Sequence, residues 1–110
     1  MNQRTYTVDF RNVTHFLEMH AAIFEGLEFP DYYGCNWDAF WDCLKDMFGK
    51  SIQIEILGID VIERLFDDDA RIMLSTLKEW KEYEADFRDV QVEIVRGDER
   101  IEIDDYPIKE

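Results

Sequence analysis

Apolar side chains recur along this chain with two different periods, and the switches between them mark out its elements. Residues 5–10 alternate polar and apolar side chains and are rich in β-formers, which predicts a first strand. Thr14 is placed to cap a helix in which Phe16, Leu17, His20, Ile23, Phe24 and Leu27 recur every three or four residues, with Gly26 near its end. Residues 28–34 read as a loop, because Pro30 lacks a backbone donor and Gly34 permits a sharp bend. Asn36 suits the N-cap of a second helix running through Phe48 and closed by Gly49. Residues 51–56 make a second strand, and residues 59–66, after Gly58, a short helix. Asp67, Asp68 and Asp69 supply the cap and the favourable first-turn charge of a long helix from Ala70 to about Tyr83. Residues 90–95 form a third strand.

Strands separated by helices imply a largely parallel sheet with helical cover, an α/β domain of three strands and about four helices. That domain spans residues 1–97. Residues 98–110 read as an acidic C-terminal extension in which Ile101, Glu102 and Ile103 alternate enough to form a short added strand.

With 110 residues, 46% of them hydrophobic, the chain can build one core without metal or disulfide support. Twelve basic against twenty-six acidic residues give a formal net charge of -14, which opposes direct binding to nucleic acid and to anionic membranes. A cationic partner suits it better, although acidity also serves solubility alone. No run approaches the roughly 18 apolar residues of a membrane span, and the N-terminus lacks a signal-peptide core, so the expected location is the cytoplasm. Cys35 and Cys43, on one expected helix, would stand roughly 12 Å apart at about 1.5 Å per residue, too far for a disulfide. Two free thiols fit a reducing compartment. There is no CxxC and no His pair, so neither metal nor cofactor is expected.

The second helix carries the chemistry. At about 100° per residue, Trp37, Phe40, Leu44, Met47 and Phe48 gather on a side that should face the core, and Asp38, Asp42, Lys45 and Asp46 gather on the other. Asp38 and Asp42 stand one turn apart, where two carboxylates mildly repel. A plain solvated face would explain them: Asp38 favours the helix macrodipole and Asp42 can reach Lys45. The company they keep points further. Tyr32, Tyr33 and Trp41 lie beside them, and large aromatics flanking acids on a surface are the composition of a binding hot spot.

The run Phe29-Pro30-Asp31-Tyr32-Tyr33-Gly34-Cys35-Asn36-Trp37-Asp38-Ala39-Phe40-Trp41-Asp42-Cys43-Leu44 resembles the signature of the barstar family, intracellular inhibitors of the ribonuclease barnase. Matched as L-x-x-P-x-Y-Y-G-x-N-x-D-A-x-W-D-C-L, the pattern is long and specific. The likeness reaches back to His20 and covers about residues 4–96, most strongly 27–44. The resemblance implies a three-stranded parallel sheet that presents its second helix and the preceding loop to a basic ribonuclease or nuclease toxin. It further implies that Asp42 enters the nuclease active site with Asp38 as its partner one turn earlier. Tyr32 would be the loop tyrosine at the contact, Trp41 the helix tryptophan beside it, and Glu79 a peripheral acid on the last helix. Tyr33, Asn36, Lys45 and Asp46 complete the expected contact set, and the free protein is expected to be monomeric.

Three features depart from the family pattern. Asp46-Met47 stands where family members often have Gly-Trp, Lys45 puts a cation inside the anionic patch, and the tail after Gly97 has no family counterpart.

Two other readings compete. Asp38, Asp42 and Glu79 could ligate Mg²⁺ for phosphoryl hydrolysis, although no Gly-rich phosphate loop accompanies them, and His15 and His20 do not form an HExxH pair. An acidic adaptor that mimics nucleic acid toward other basic proteins is the second.

Overall fold

In the computed structural model, which describes residues 3–108, each alternating stretch becomes a strand with one buried face. Strand β1 (Gln3–Asp9) turns Tyr6 and Val8 inward, β2 (Ser51–Leu57) turns in Ile52, Ile54 and Ile56, and β3 (Asp89–Arg96) turns in Val90, Val92 and Ile94. The three run parallel in the order β1-β2-β3, with Tyr6, Ile54 and Val92 side by side. Neighbouring strands joined in sequence, always in the same direction across the sheet, have crossovers whose usual right hand carries every helix to one face. That is why these parallel strands alternate instead of being apolar throughout: the far face displays Thr7, Gln53, Glu55 and Glu93 to solvent.

Four helices cover the buried face. They are α1 (Phe16–Gly26), α2 (Trp37–Lys45), α3 (Ile59–Leu65) and α4 (Asp67–Glu84). The end of α1 lies directly on β1: a Cβ on Gly26 would stand 2.4 Å from the carbonyl oxygen of Thr7, so only glycine fits. Helix α4 buries Ala70, Met73, Leu74, Leu77 and Trp80, the stripe its periodicity predicts.

The sheet has a fourth strand. After a turn at Gly97, whose φ is +59°, β4 (Glu99–Glu102) pairs antiparallel with the outer edge of β3. A 3-10 turn (Ile103–Asp105) follows, and Ile103 and Tyr106 are buried in the common core. Lys81 of α4 contacts Glu102 at 3.0 Å and Asp104 at 2.7 Å. The Tyr106 hydroxyl donates to Glu63 at 2.8 Å and accepts from Arg96 at 2.8 Å. Residues 98–108 therefore contribute a strand and core side chains to the packed body.

Several local expectations are corrected. Thr14 does not cap α1; His15 takes that place in an extended conformation, and Thr14 gives its amide and hydroxyl to the Glu18 carboxylate at 2.7 and 2.8 Å. Helix α2 stops at Lys45, three residues before Phe48, which is 80% exposed instead of packed in the core. The chain leaves the helix because the carbonyls of Met47 and Gly49 accept hydrogen bonds from the Arg88 guanidinium, and Gly49 turns at φ +114°. The loop before α2 bends at Glu28 (φ 56°) and Cys35 (φ 53°), not at Gly34. Asp67 to Asp69 lie inside the first turn of α4 instead of capping it.

Candidate functional site

The local chain order builds the acidic face from its N-cap. Asn36 Oδ1 accepts the Ala39 amide at 2.8 Å, and its Nδ2 donates to the Gly34 carbonyl at 3.2 Å. Both polar ends of this exposed amide are thus engaged by its own backbone, so Asn36 orients the helix and the loop while staying exposed. Gly34 is tight against that cap, since a Cβ there would meet Asn36 Nδ2 at 3.2 Å.

Tyr32 and Tyr33 part company although adjacent. Tyr32 is 72% exposed, while Tyr33 is buried, its hydroxyl hydrogen-bonded to Nδ1 of the fully buried His20 at 2.7 Å. Expected at the contact surface, Tyr33 is corrected to a core residue. His20 is packed and hydrogen-bonded, and its ring lies 5.0 Å from that of Trp37 and 4.8 Å from that of Phe16. Burial pushes the Tyr33 hydroxyl above its usual pKa and the His20 imidazole below its own, with Asp69 opposing the latter weakly. Trp37 fixes the start of α2 to α4 through Nε1, which donates to Asp69 at 3.0 Å.

On this base the face opens outward. Asp38, Asp42, Lys45 and Asp46 are exposed along and just beyond α2, and Trp41 is half-buried between it and α4. The Asp42 side chain is 71% exposed, its only cation among the described residues being Lys45 Nζ at 3.8 Å. That is a long, solvated contact without a hydrogen bond, of the kind worth about 0–1 kcal/mol. Lys45 Nζ also lies over the Trp41 ring, 5.6 Å from its centroid, within cation–π reach. Glu79 is exposed on α4, one turn before Tyr83, whose ring packs edge-on to Trp41 at 5.8 Å.

Sequence reasoning missed two exposed aromatics around this face: Phe48 and Tyr83 (56% exposed). For Tyr83 the signal was available, since it follows Glu79 by four residues on the same side of α4. It also missed Arg88, whose guanidinium pairs with the buried Glu84 and reaches across to the turn after α2. Among the described residues no three His, Cys, Asp or Glu side chains come together as a metal-binding set. Cys35 and Cys43 are both free, the first exposed and the second buried. No described helix is long and apolar enough to cross a membrane.

The family model described as Barstar (barnase inhibitor) matches residues 3–95, nearly the whole of this fold. This chain belongs to the barstar family. A protein of Bacillus subtilis (strain 168) named "Putative ribonuclease inhibitor YrdF" is 28% identical to it over 79 residues, covering 72% of this chain and 87% of that protein. The α/β architecture implied by the barstar-like motif is the one found, with one antiparallel strand added. The barstar match ends at residue 95, so β4, Ile103 and Tyr106 lie beyond it.

Proposed function

We propose that this chain inhibits a basic ribonuclease by placing the carboxylate of Asp42 where the enzyme would hold a phosphate of its RNA substrate. The observation that carries the reading is the Asp42 carboxylate itself, 71% exposed on the helix that bears the family motif, with Asp38 one turn before it, Trp41 next to it in the helix and Tyr32 exposed on the loop that precedes the helix. A ribonuclease grips the scissile phosphate with preorganised cations. A carboxylate can accept the same charge-assisted hydrogen bonds without offering a bond to cleave. Asp38 and Glu79 would meet cations at the rim, and Tyr32 and Trp41 would cover the site and exclude water. Lys45 can swing away from Asp42 at little cost, because their contact is long and solvated. The net charge of -14 would speed encounter with a basic enzyme and make the on-rate fall with salt. Such a protein protects the cell that makes it, either from its own nuclease or as immunity against a nuclease toxin.

The test is inhibition of fluorogenic RNA cleavage by barnase and a panel of other basic bacterial ribonucleases. Wild type should inhibit at least one, and Asp42→Ala should weaken that inhibition by roughly 3–5 kcal/mol, since removing one partner strands buried cations. Asp42→Asn should recover little of it, because the charge is what the site binds. Undiminished inhibition by Asp42→Ala would sink the mechanism.

A further inference from the structure

Beside the acidic face, a cleft of about 610 Å³ opens between the loop before α2 and the turn after it. Its volume lies within the ~300–1,000 Å³ of small-ligand pockets. The floor is apolar, made by buried Tyr6, Leu27, Phe29 and Cys43. Tyr32 and Phe48, 72% and 80% exposed, stand at its mouth. Glu28 and Asp46 add two exposed carboxylates there, neither in an ion pair among the described residues. One cation, Arg4, also lines the cleft, with Nη1 donating to the Tyr6 hydroxyl at 3.3 Å.

The far wall is held in place from outside. Arg88 donates to the carbonyls of Met47 and Gly49, pairs with Glu84, and lies 5.7 Å from the Trp80 ring centroid. The turn bearing Asp46 and Phe48 is thereby fastened to α4, so binding need not order it first.

We propose that this cleft receives an arginine side chain of the partner. This rests on the ribonuclease-inhibitor reading for the partner's identity, though not for the cleft's chemistry. An apolar side chain would fill the floor but bury Glu28 and Asp46 at the mouth with one cation between them. An arginine lays its aliphatic stem on the floor and its planar guanidinium against the ring of Phe48, with Asp46 as counter-charge. The cleft shares Tyr32 and Asp46 with the contact set proposed around Asp42, so one basic partner can cover both. Phe48 and Asp46 then become determinants of which ribonuclease is bound.

The cleft is tested first without any ribonuclease, by following amide shifts of the ¹⁵N-labelled protein on titration with Nα-acetyl-arginine amide, Nα-acetyl-norleucine amide and Nα-acetyl-phenylalanine amide. The arginine probe should move Tyr32, Asp46 and Phe48 at millimolar concentration, and Asp46→Asn and Phe48→Ala should each abolish the response. No localised shift, or a stronger response to the norleucine or phenylalanine probe, would overturn the proposal. Second, the same variants are assayed against whichever ribonuclease the wild type inhibits, where each should weaken inhibition about tenfold. If Asp42→Ala destroys inhibition while both cleft variants inhibit like wild type, the arginine proposal fails and the inhibitor reading stands. If wild type inhibits no ribonuclease yet the arginine probe binds, the inhibitor reading fails and the cleft's chemistry stands.

Discussion

Replacing Tyr33 by Phe removes one hydroxyl from beneath the loop that carries Tyr32. The ring itself remains, and with it the packing on Phe29 at 5.2 Å, so the change creates almost no cavity. What is lost is the 2.7 Å hydrogen bond to Nδ1 of His20, a side chain with no solvent exposure. Nε2 of the same ring already has no partner among the described residues, so the variant strips the second nitrogen as well. Leaving a buried polar group bare costs roughly 1–3 kcal/mol. For 110 residues, at about 2.1 cal/mol/K each, the entropy of unfolding is about 0.23 kcal/mol/K, so each kcal/mol moves Tm by about 4 °C. Tyr33→Phe should therefore melt about 4–13 °C below wild type in scanning calorimetry, with ribonuclease affinity unchanged at a temperature where both are folded. An unchanged Tm with weakened ribonuclease binding would refute the assignment of Tyr33 to the core and return it to the contact surface.

Burial lowers the pKa of His20 in the folded protein, so between the folded value and the unfolded value of about 6.5 the unfolded chain binds the extra proton. The stability this group contributes is present above about pH 6.5 and is lost as pH falls through the folded pKa. The urea midpoint of wild type should drop on going from pH 7 to 5.5, and that of His20→Gln should stay nearly flat; equal slopes would exclude His20 as the source. Truncation after Gly97 removes buried Ile103 and Tyr106, each worth ~1.5–3 kcal/mol, and takes two carboxylates from Lys81. Urea unfolding should then register a loss of roughly 3 kcal/mol or more, and a truncated protein as stable as the full chain would show the tail's packing to be inconsequential.

Strand positions, the α4 stripe, the Asn36 cap and the outward side of Asp38 and Asp42 were all legible in the sequence. Each is a local property: a period of two or 3.6, or a side chain reaching its own backbone three residues on, needs no knowledge of distant residues. The family motif added the expectation of which helix meets a partner. It could not separate Tyr32 from Tyr33, because a loop has no period to say which neighbour turns inward. That choice falls to His20, thirteen residues away, which offers Tyr33 a buried partner. Likewise Phe48 fitted the apolar side of an extended α2, and only Arg88, forty residues further along, draws its turn out of the helix and leaves the ring in solvent. The tail shows the same division: alternation at Ile101 to Ile103 announced a strand, whereas the burial of Tyr106 depended on Glu63 and Arg96 converging from α3 and β3. Sequence by itself determined which segments could form and which faces they would bury. The folded chain decided which polar and aromatic side chains at the segment ends stay outside, since their partners are brought near only when the elements pack.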